Sequence, residues 1–237
     1  MKIIVIDGPD GIGKTTVAKL VAERLKNYHL KAEYIHFPNY EYYTGDFINK
    51  CLHGELGDFT KVNPYAQHMM YALDRYCWFE KNYNKYRDHI IIFDRYTTSS
   101  KIYQTAAKFI QCQDSSEEKL KLKDWLKKDN FTSYISCIEF MKLSIPLPEI
   151  VFWLDIDKES LNKRINNRVA VENKAKDNFE EDSFAGVVYE IGQIISRRDA
   201  YKLINTDATP EEIADDILNK IKETIEIKFE NLESQVP

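Results

Sequence analysis

Gly8-Pro-Asp-Gly-Ile-Gly13-Lys14-Thr15 decides the fold, because it matches G-x-x-x-x-G-K-[ST] in full. Before it, Lys2-Ile-Ile-Val-Ile-Asp7 is a short apolar run that stops at glycine and reads as a buried strand. After it, Thr15 to Lys26 places Val17, Ala18, Val21, Ala22 and Leu25 at helical spacing. Strand, glycine-rich loop and helix in that order form the context a phosphate cradle needs. Glycines let backbone N–H groups close around phosphate oxygens, and the helix N-terminus adds positive potential. The candidate cofactor-binding residues are therefore Gly8, Asp10, Gly11, Gly13, Lys14, Thr15 and Thr16. In this motif the lysine reaches the β- and γ-phosphates of a nucleoside triphosphate, and the Thr15 hydroxyl can ligate Mg²⁺.

Outward from the loop, strands and helices alternate. Ala32–His36 reads as a second strand, Ile90–Asp94 as a third, Ile150–Asp155 as a fourth and Tyr201–Asn205 as a weaker fifth. Asn63-Pro64 opens an aromatic-rich helix of about twenty residues, since proline suits the first helical turn. Thr209-Pro-Glu-Glu opens the last helix with a capping residue, a proline and early acids. The pattern predicts an α/β fold, a five-stranded parallel sheet with helices on both faces. Gln111 to Lys123 is polar and reads as a loop or a surface helix. No linker or repeat divides the chain, so one domain is expected over 1–228, with a frayed C-terminal tail over 229–237.

The 237 residues are 43% hydrophobic, enough for one substantial core. A net charge of −5 argues against a broad nucleic-acid surface but allows a local basic pocket. No apolar run reaches the length of a membrane span or signal peptide. The four cysteines form no C-x-x-C pair, which speaks for reduced thiols in a cytoplasmic protein. The five histidines lack the spacing of a metal site or triad and read as structural or exposed.

A phosphate cradle alone fits a GTPase switch, an ATPase or a kinase. A guanine-reading Asn-Lys-x-Asp is absent, the nearest stretch, Asn173-Lys-Ala-Lys-Asp177, being one residue too long. At the end of the third strand, Asp94 can hold Mg²⁺ or its water, and Arg95 can clamp a phosphate bidentately, or the two can form a local ion pair.

With these blocks in place the chain resembles the thymidylate kinase family, from Lys2 to about Leu218. The matching blocks are Gly8 to Thr16, Phe37-Pro-Asn-Tyr40, Leu52-His-Gly-Glu-Leu-Gly57, Tyr71-Ala-Leu-Asp-Arg75, Asp94-Arg-Tyr-Thr-Thr-Ser99 with Tyr103, Ile138-Glu-Phe140 and Asp177-Asn-Phe-Glu180. The pattern is nearest the bacterial-type branch that carries Phe-Pro-x-Tyr. The resemblance implies transfer of a phosphoryl group from ATP to dTMP with Mg²⁺, and a homodimer. It implies that Phe37 and Tyr71 bracket the pyrimidine, with Tyr40 and Ser99 on the substrate side. Arg75 would hydrogen-bond a base carbonyl, Arg95 would bind the acceptor phosphate, and Tyr103 would crowd out a 2′-hydroxyl. Asp10 would contact the sugar or a hydrated Mg²⁺, and Glu180 the sugar or that metal. Two positions depart from the branch. Ser100 stands where an amide is frequent and is too short to reach the base N3–H directly, and Phe179 stands where tyrosine is frequent. A kinase of broader or shifted base choice, and a noncatalytic nucleotide-binding protein, remain as alternatives.

The catalytic positive charge in the family comes from inside the P-loop or from a lid. Here Pro9, Asp10, Gly11 and Ile12 are not basic. A mobile lid over about residues 164–178 is therefore expected to supply it through Arg164 and Arg168, whose i, i+4 spacing puts both on one helix face. Lys174 and Lys176 are secondary candidates. The alternative is a solvated basic helix end.

Overall fold

The computed structural model describes residues 1–55, 57–115, 120–164 and 182–224. Its core is a single parallel sheet of five strands in the order β2-β3-β1-β4-β5. The strands are β1 (Lys2–Asp7), β2 (Ala32–His36), β3 (Ile90–Asp94), β4 (Ile150–Asp155) and β5 (Lys202–Asn205). Four of the five have the expected bounds; for β1, β3 and β4 this is because a central parallel strand is buried on both faces and must be continuously apolar, whereas β2 is a half-buried edge strand. The fifth starts one residue later than expected, after Ala200 takes a left-handed φ of 56°.

Side-chain alternation assigns each face its helices. Ile4 and Ile6 point into a core shared with Val17, Ala18 and Val21 of α1 (Lys14–Asn27) and with Ile213 and Ile217 of α9 (Pro210–Thr224). Ile3, Val5, Ile91 and Phe93 point the other way, against Trp78 and Phe79 of α3 (Pro64–Tyr86). A third cluster joins α2 (Tyr43–Leu52), α4 (Thr97–Ser115) and α8 (Asp182–Arg198) around Trp153.

Local chemistry sets the helix ends. Asn63 caps α3 by accepting from the Tyr65 amide, with Pro64 in the first turn. Thr209 and Glu212 form a reciprocal capping box at α9. The polar stretch from Gln111 enters α4, because the Gln111 amide donates to the Thr60 and Val62 carbonyls and so has a reason to face inward. It resumes as α5 (Leu122–Lys128). α6 (Phe131–Ser136) continues into a wider π-type turn, Cys137–Lys142, and α7 spans residues 158–164. Among the described residues no helix is long and apolar enough to cross a membrane. The expected lid beyond residue 164 and the tail over 229–237 lie outside the described residues.

Candidate active site

The P-loop joins the end of β1 to α1. Gly11 and Gly13 adopt φ of 80° and 98°, left-handed conformations that glycine enters at little cost. At Gly8 a Cβ would lie 3.0 Å from the Leu154 carbonyl oxygen, so the loop rests directly on β4. Among the described residues no side chain caps α1, which leaves its leading N–H groups open to an anion. The Lys14 ammonium is folded over the loop and donates to the carbonyls of Gly8 (2.9 Å) and Pro9 (2.8 Å) and to Asp10 (3.2 Å). Burial, and then the charge of Arg95, lower its pKa. Thr16 is exposed beside Thr15.

Asp94 ends β3 directly across the ladder from His36. Its Oδ2 accepts from the Thr15 hydroxyl (2.5 Å), the Tyr34 hydroxyl (3.1 Å) and His36 Nδ1 (3.0 Å). Its Oδ1 is buried with no partner among the described residues. Burial pushes the Asp94 carboxyl up, but His36 and Lys14 outweigh that and hold it at about 2. A free carboxylate oxygen beside a threonine hydroxyl is a pair of hard oxygen donors that fits Mg²⁺, which takes few protein ligands and completes its shell with phosphates and water.

Asp10 stands between the P-loop and a pocket. It accepts from Lys14, from the Tyr103 hydroxyl (2.7 Å) and from the Arg95 guanidinium. Burial alone would raise its pKa, yet Arg95 and Lys14 bring it well below the usual carboxylate range. Arg95 has a left-handed φ of 67°, a strained backbone for a non-glycine residue, and lies 5.1 Å from the Tyr103 ring centroid.

The pocket is lined by Asp10, Phe37, Pro38, Tyr40, Leu52, Tyr71, Arg75, Arg95, Ser99, Ser100, Tyr103 and Gln104. It thus gathers expected residues from the end of β2, from α3 and from α4. Phe37 is buried and stacks on Phe93, with ring centroids 5.2 Å apart. Ser99 lines the pocket while its hydroxyl donates to Asp7 (2.7 Å).

Arg75 pairs with neither Asp74 nor solvent. Its Nε and Nη2 hold the two carboxylate oxygens of Glu139 (2.7 and 2.6 Å), and Nη2 also donates to Ser100 (2.7 Å). Nη1 has no hydrogen bond among the described residues. Glu139 is wholly buried, accepts from Thr97 (2.6 Å), and lies 3.6 Å from Nδ1 of buried His68. Burial drives the His68 pKa down to about 4, so the ring is neutral.

Sequence reasoning missed two residues here. Glu139 sits inside the quoted Ile138-Glu-Phe140 block but was given no role. Gln104 lies one helical turn after Ser100, is 2% exposed, lines the pocket, and has an Oε1 without a partner among the described residues. The expectation of an amide at position 100, shifted by one turn, is the signal that finds it.

Arg164 reaches the P-loop from outside. Its guanidinium donates to the carbonyls of Thr206 (2.7 Å) and Ile12 (3.4 Å) and does not line the pocket. Arg168 and Glu180, with Lys174, Lys176 and Phe179, lie outside the described residues.

Residues 6–124 match the family model described as thymidylate kinase. A probable thymidylate kinase of Pyrobaculum aerophilum is 27% identical over 231 residues, covering 96% of this chain and 100% of that protein. One from Methanococcus vannielii is 31% identical over 167 residues, 70% of this chain and 67% of that protein. The thymidylate kinase of Plasmodium falciparum is 25% identical over 234 residues, 97% of this chain and 92% of that protein. Among solved structures, a thymidylate kinase from Candida albicans shares the fold with a TM-score of 0.69 at 20% identity, covering 94% of this chain and 91% of that one.

Proposed function

The chain belongs to the thymidylate kinase family, and from that premise we propose that it moves the γ-phosphate of ATP onto dTMP, giving dTDP and ADP. The observation that carries this reading is Asp10. One carboxylate takes Lys14 of the P-loop on one side and Arg95 and Tyr103 of the pocket on the other. Donor and acceptor phosphates would therefore meet across it.

Phosphoryl transfer needs positioning and cations, and the acceptor phosphate is already an oxyanion, so no general base is required. Lys14 would leave the Gly8 and Pro9 carbonyls for the donor phosphates. Arg95 would clamp the acceptor phosphate. Thr15 and Asp94 would hold Mg²⁺, which neutralises phosphate charge when bound. Arg164, with Arg168, remains the proposed source of lid charge.

On the base, Phe37 and Tyr71 would bracket the ring, a contact worth roughly 1–3 kcal/mol in nucleic-acid complexes. Arg75 Nη1 offers a donor and Gln104 Oε1 an acceptor, the complement of a 4-keto, N3–H edge. Cytosine presents the reverse pattern. Tyr40 and Ser99 would complete the substrate side and Tyr103 would press on C2′, with Glu180 near the sugar.

Phe37-Pro-Asn-Tyr40 supports a place in the bacterial-type branch, and the single apolar sheet supports one domain. Exposed Tyr43, Phe47, Met69 and Leu73 on α2 and α3 support a homodimer formed through these helices. The absence of a membrane-spanning helix among the described residues is consistent with cytoplasmic work. A coupled ADP-release assay across nucleoside monophosphates and nucleosides tests the reading. Turnover on dTMP, weaker on dUMP and weakest on dCMP, is expected. ATP binding without ADP release would point to a noncatalytic nucleotide-binding protein and sink it.

A further inference from the structure

β2 and β3 run parallel with His36 opposite Asp94 and Tyr34 opposite Ile92. Strand side chains alternate faces, so Tyr34, His36 and Asp94 share one face of the sheet. Among the described residues, the three side-chain donors to Asp94, from Thr15, Tyr34 and His36, converge on the same oxygen, Oδ2, and leave Oδ1 as the uncommitted one. An ionised carboxylate only accepts, so His36 Nδ1 must carry the proton in this contact. Lys19 lies 5.4 Å from the Tyr34 ring centroid, and the His36 ring lies 5.8 Å from that of Tyr40.

We infer that Tyr34 and His36 are positioning residues that fix the Asp94 carboxylate through Oδ2 and so present Oδ1 to the divalent cation of the phosphotransfer site. The inference rests on the proposed phosphotransferase reading. Thr15 alone is a poor anchor, because its own oxygen is a candidate cation ligand. The two β2 donors hold the carboxylate without competing for the ion. Partners that orient a metal ligand in this way typically matter by 10–100-fold in metal affinity.

The test is Mn²⁺ binding to the ADP-saturated protein, followed by electron paramagnetic resonance, beside steady-state kinetics. Tyr34→Phe removes only a hydroxyl. His36→Asn keeps a donor at similar reach, and His36→Leu does not. In Tyr34→Phe/His36→Leu, Mn²⁺ affinity should fall roughly tenfold or more and the half-saturating Mg²⁺ should rise in step, with the KM for dTMP changing by much less. Tyr34→Phe/His36→Asn should recover most of the loss. Mn²⁺ affinity within twofold of wild type in the leucine double variant overturns the inference. So does an equal loss in dTMP binding, which would mark a general distortion. A wild-type protein that binds no Mn²⁺ with ADP defeats the phosphotransferase reading together with it.

Discussion

The donor side and the acceptor side of the site are built in opposite ways. The proposed donor side is almost one unbroken stretch, Gly8 to Thr16, in which backbone N–H groups would meet the phosphates. The acceptor side is assembled from the end of β2, from α3, from α4 and from the π-type turn after α6. Its side chains are the proposed contacts, and several are held by others from distant parts of the chain, as Arg75 is by Glu139 and Tyr103 by Asp10. Arg75 and Glu139 are separated by 64 positions. Apart from Asp94, which β2 holds, a contiguous cradle tolerates changes elsewhere in the molecule. An assembled pocket is exposed to every change in its supports. Variants in the first region should therefore lower kcat, and variants in the second should alter acceptor affinity and choice.

The largest effect expected is on the donor side. Lys14→Ala should cost about 10³-fold or more in kcat, because preorganised cations at a phosphoryl group carry much of the barrier reduction. Circular dichroism should remain that of the wild type. Near-normal turnover in a folded Lys14→Ala protein would break the comparison at its root. Next come the lid cations. Arg164→Ala and Arg168→Ala should each lower kcat about a hundredfold with little change in the KM for dTMP, a loss far above the 0–1 kcal/mol of a surface ion pair. If both singles and the double keep more than about half of wild-type kcat, the charge comes from elsewhere. In that event the Arg164 contacts to Ile12 and Thr206 are a brace for the P-loop and nothing more.

Acid should separate the two regions. His68 lies beneath the acceptor side with a folded pKa near 4 against an ordinary 6.5, so the unfolded chain takes up a proton first as pH falls. Stability is unaffected above about pH 6.5 and is lost between there and pH 4, by about 2 kcal/mol at pH 5. Asp94, on the donor side, loses its contribution in a lower pH window. Its folded pKa of about 2 lies below the ordinary 3.8, so its contribution is complete above that value and disappears only as pH falls towards 2. Urea melts at pH 7 and pH 5 should show His68→Gln losing less stability between the two than wild type. Equal losses would mean that His68 is not the acid-sensitive group.

The same contrast explains what is legible in the sequence. The strands were legible because β1, β3 and β4 are buried on both faces, and the resulting apolar runs end at the glycine or acid that follows. The P-loop was legible because its residues are neighbours in sequence. Glu139 was not, because what makes it functional is a partner 64 positions away, reached through a π-type turn that no simple periodicity announces. His36 and Tyr34 were invisible for the same reason, since their meaning depends on β2 lying beside β3 in a particular register.

The smallest effect, and the sharpest probe of the assembled side, belongs to Gln104. Its Oε1 is an acceptor without a partner among the described residues, in a pocket where Arg75 supplies donors and Ser100 already accepts one. A base with N3–H and a 4-keto oxygen satisfies both groups at once, whereas cytosine sets acceptor against acceptor at N3 and donor against donor at N4. Gln104→Leu removes the acceptor and should raise the KM for dTMP roughly tenfold, the cost of one uncharged hydrogen bond and its desolvation. It should also narrow the dTMP-to-dCMP ratio of kcat/KM, because the mismatch at N3 disappears together with the match. kcat should stay close to wild type, since no phosphate contact is touched. Gln104→Glu keeps an acceptor of the same length and should preserve the preference for dTMP better than leucine does. If leucine leaves the ratio unchanged, Gln104 is packing, and Arg75 on its Glu139 support reads the base alone.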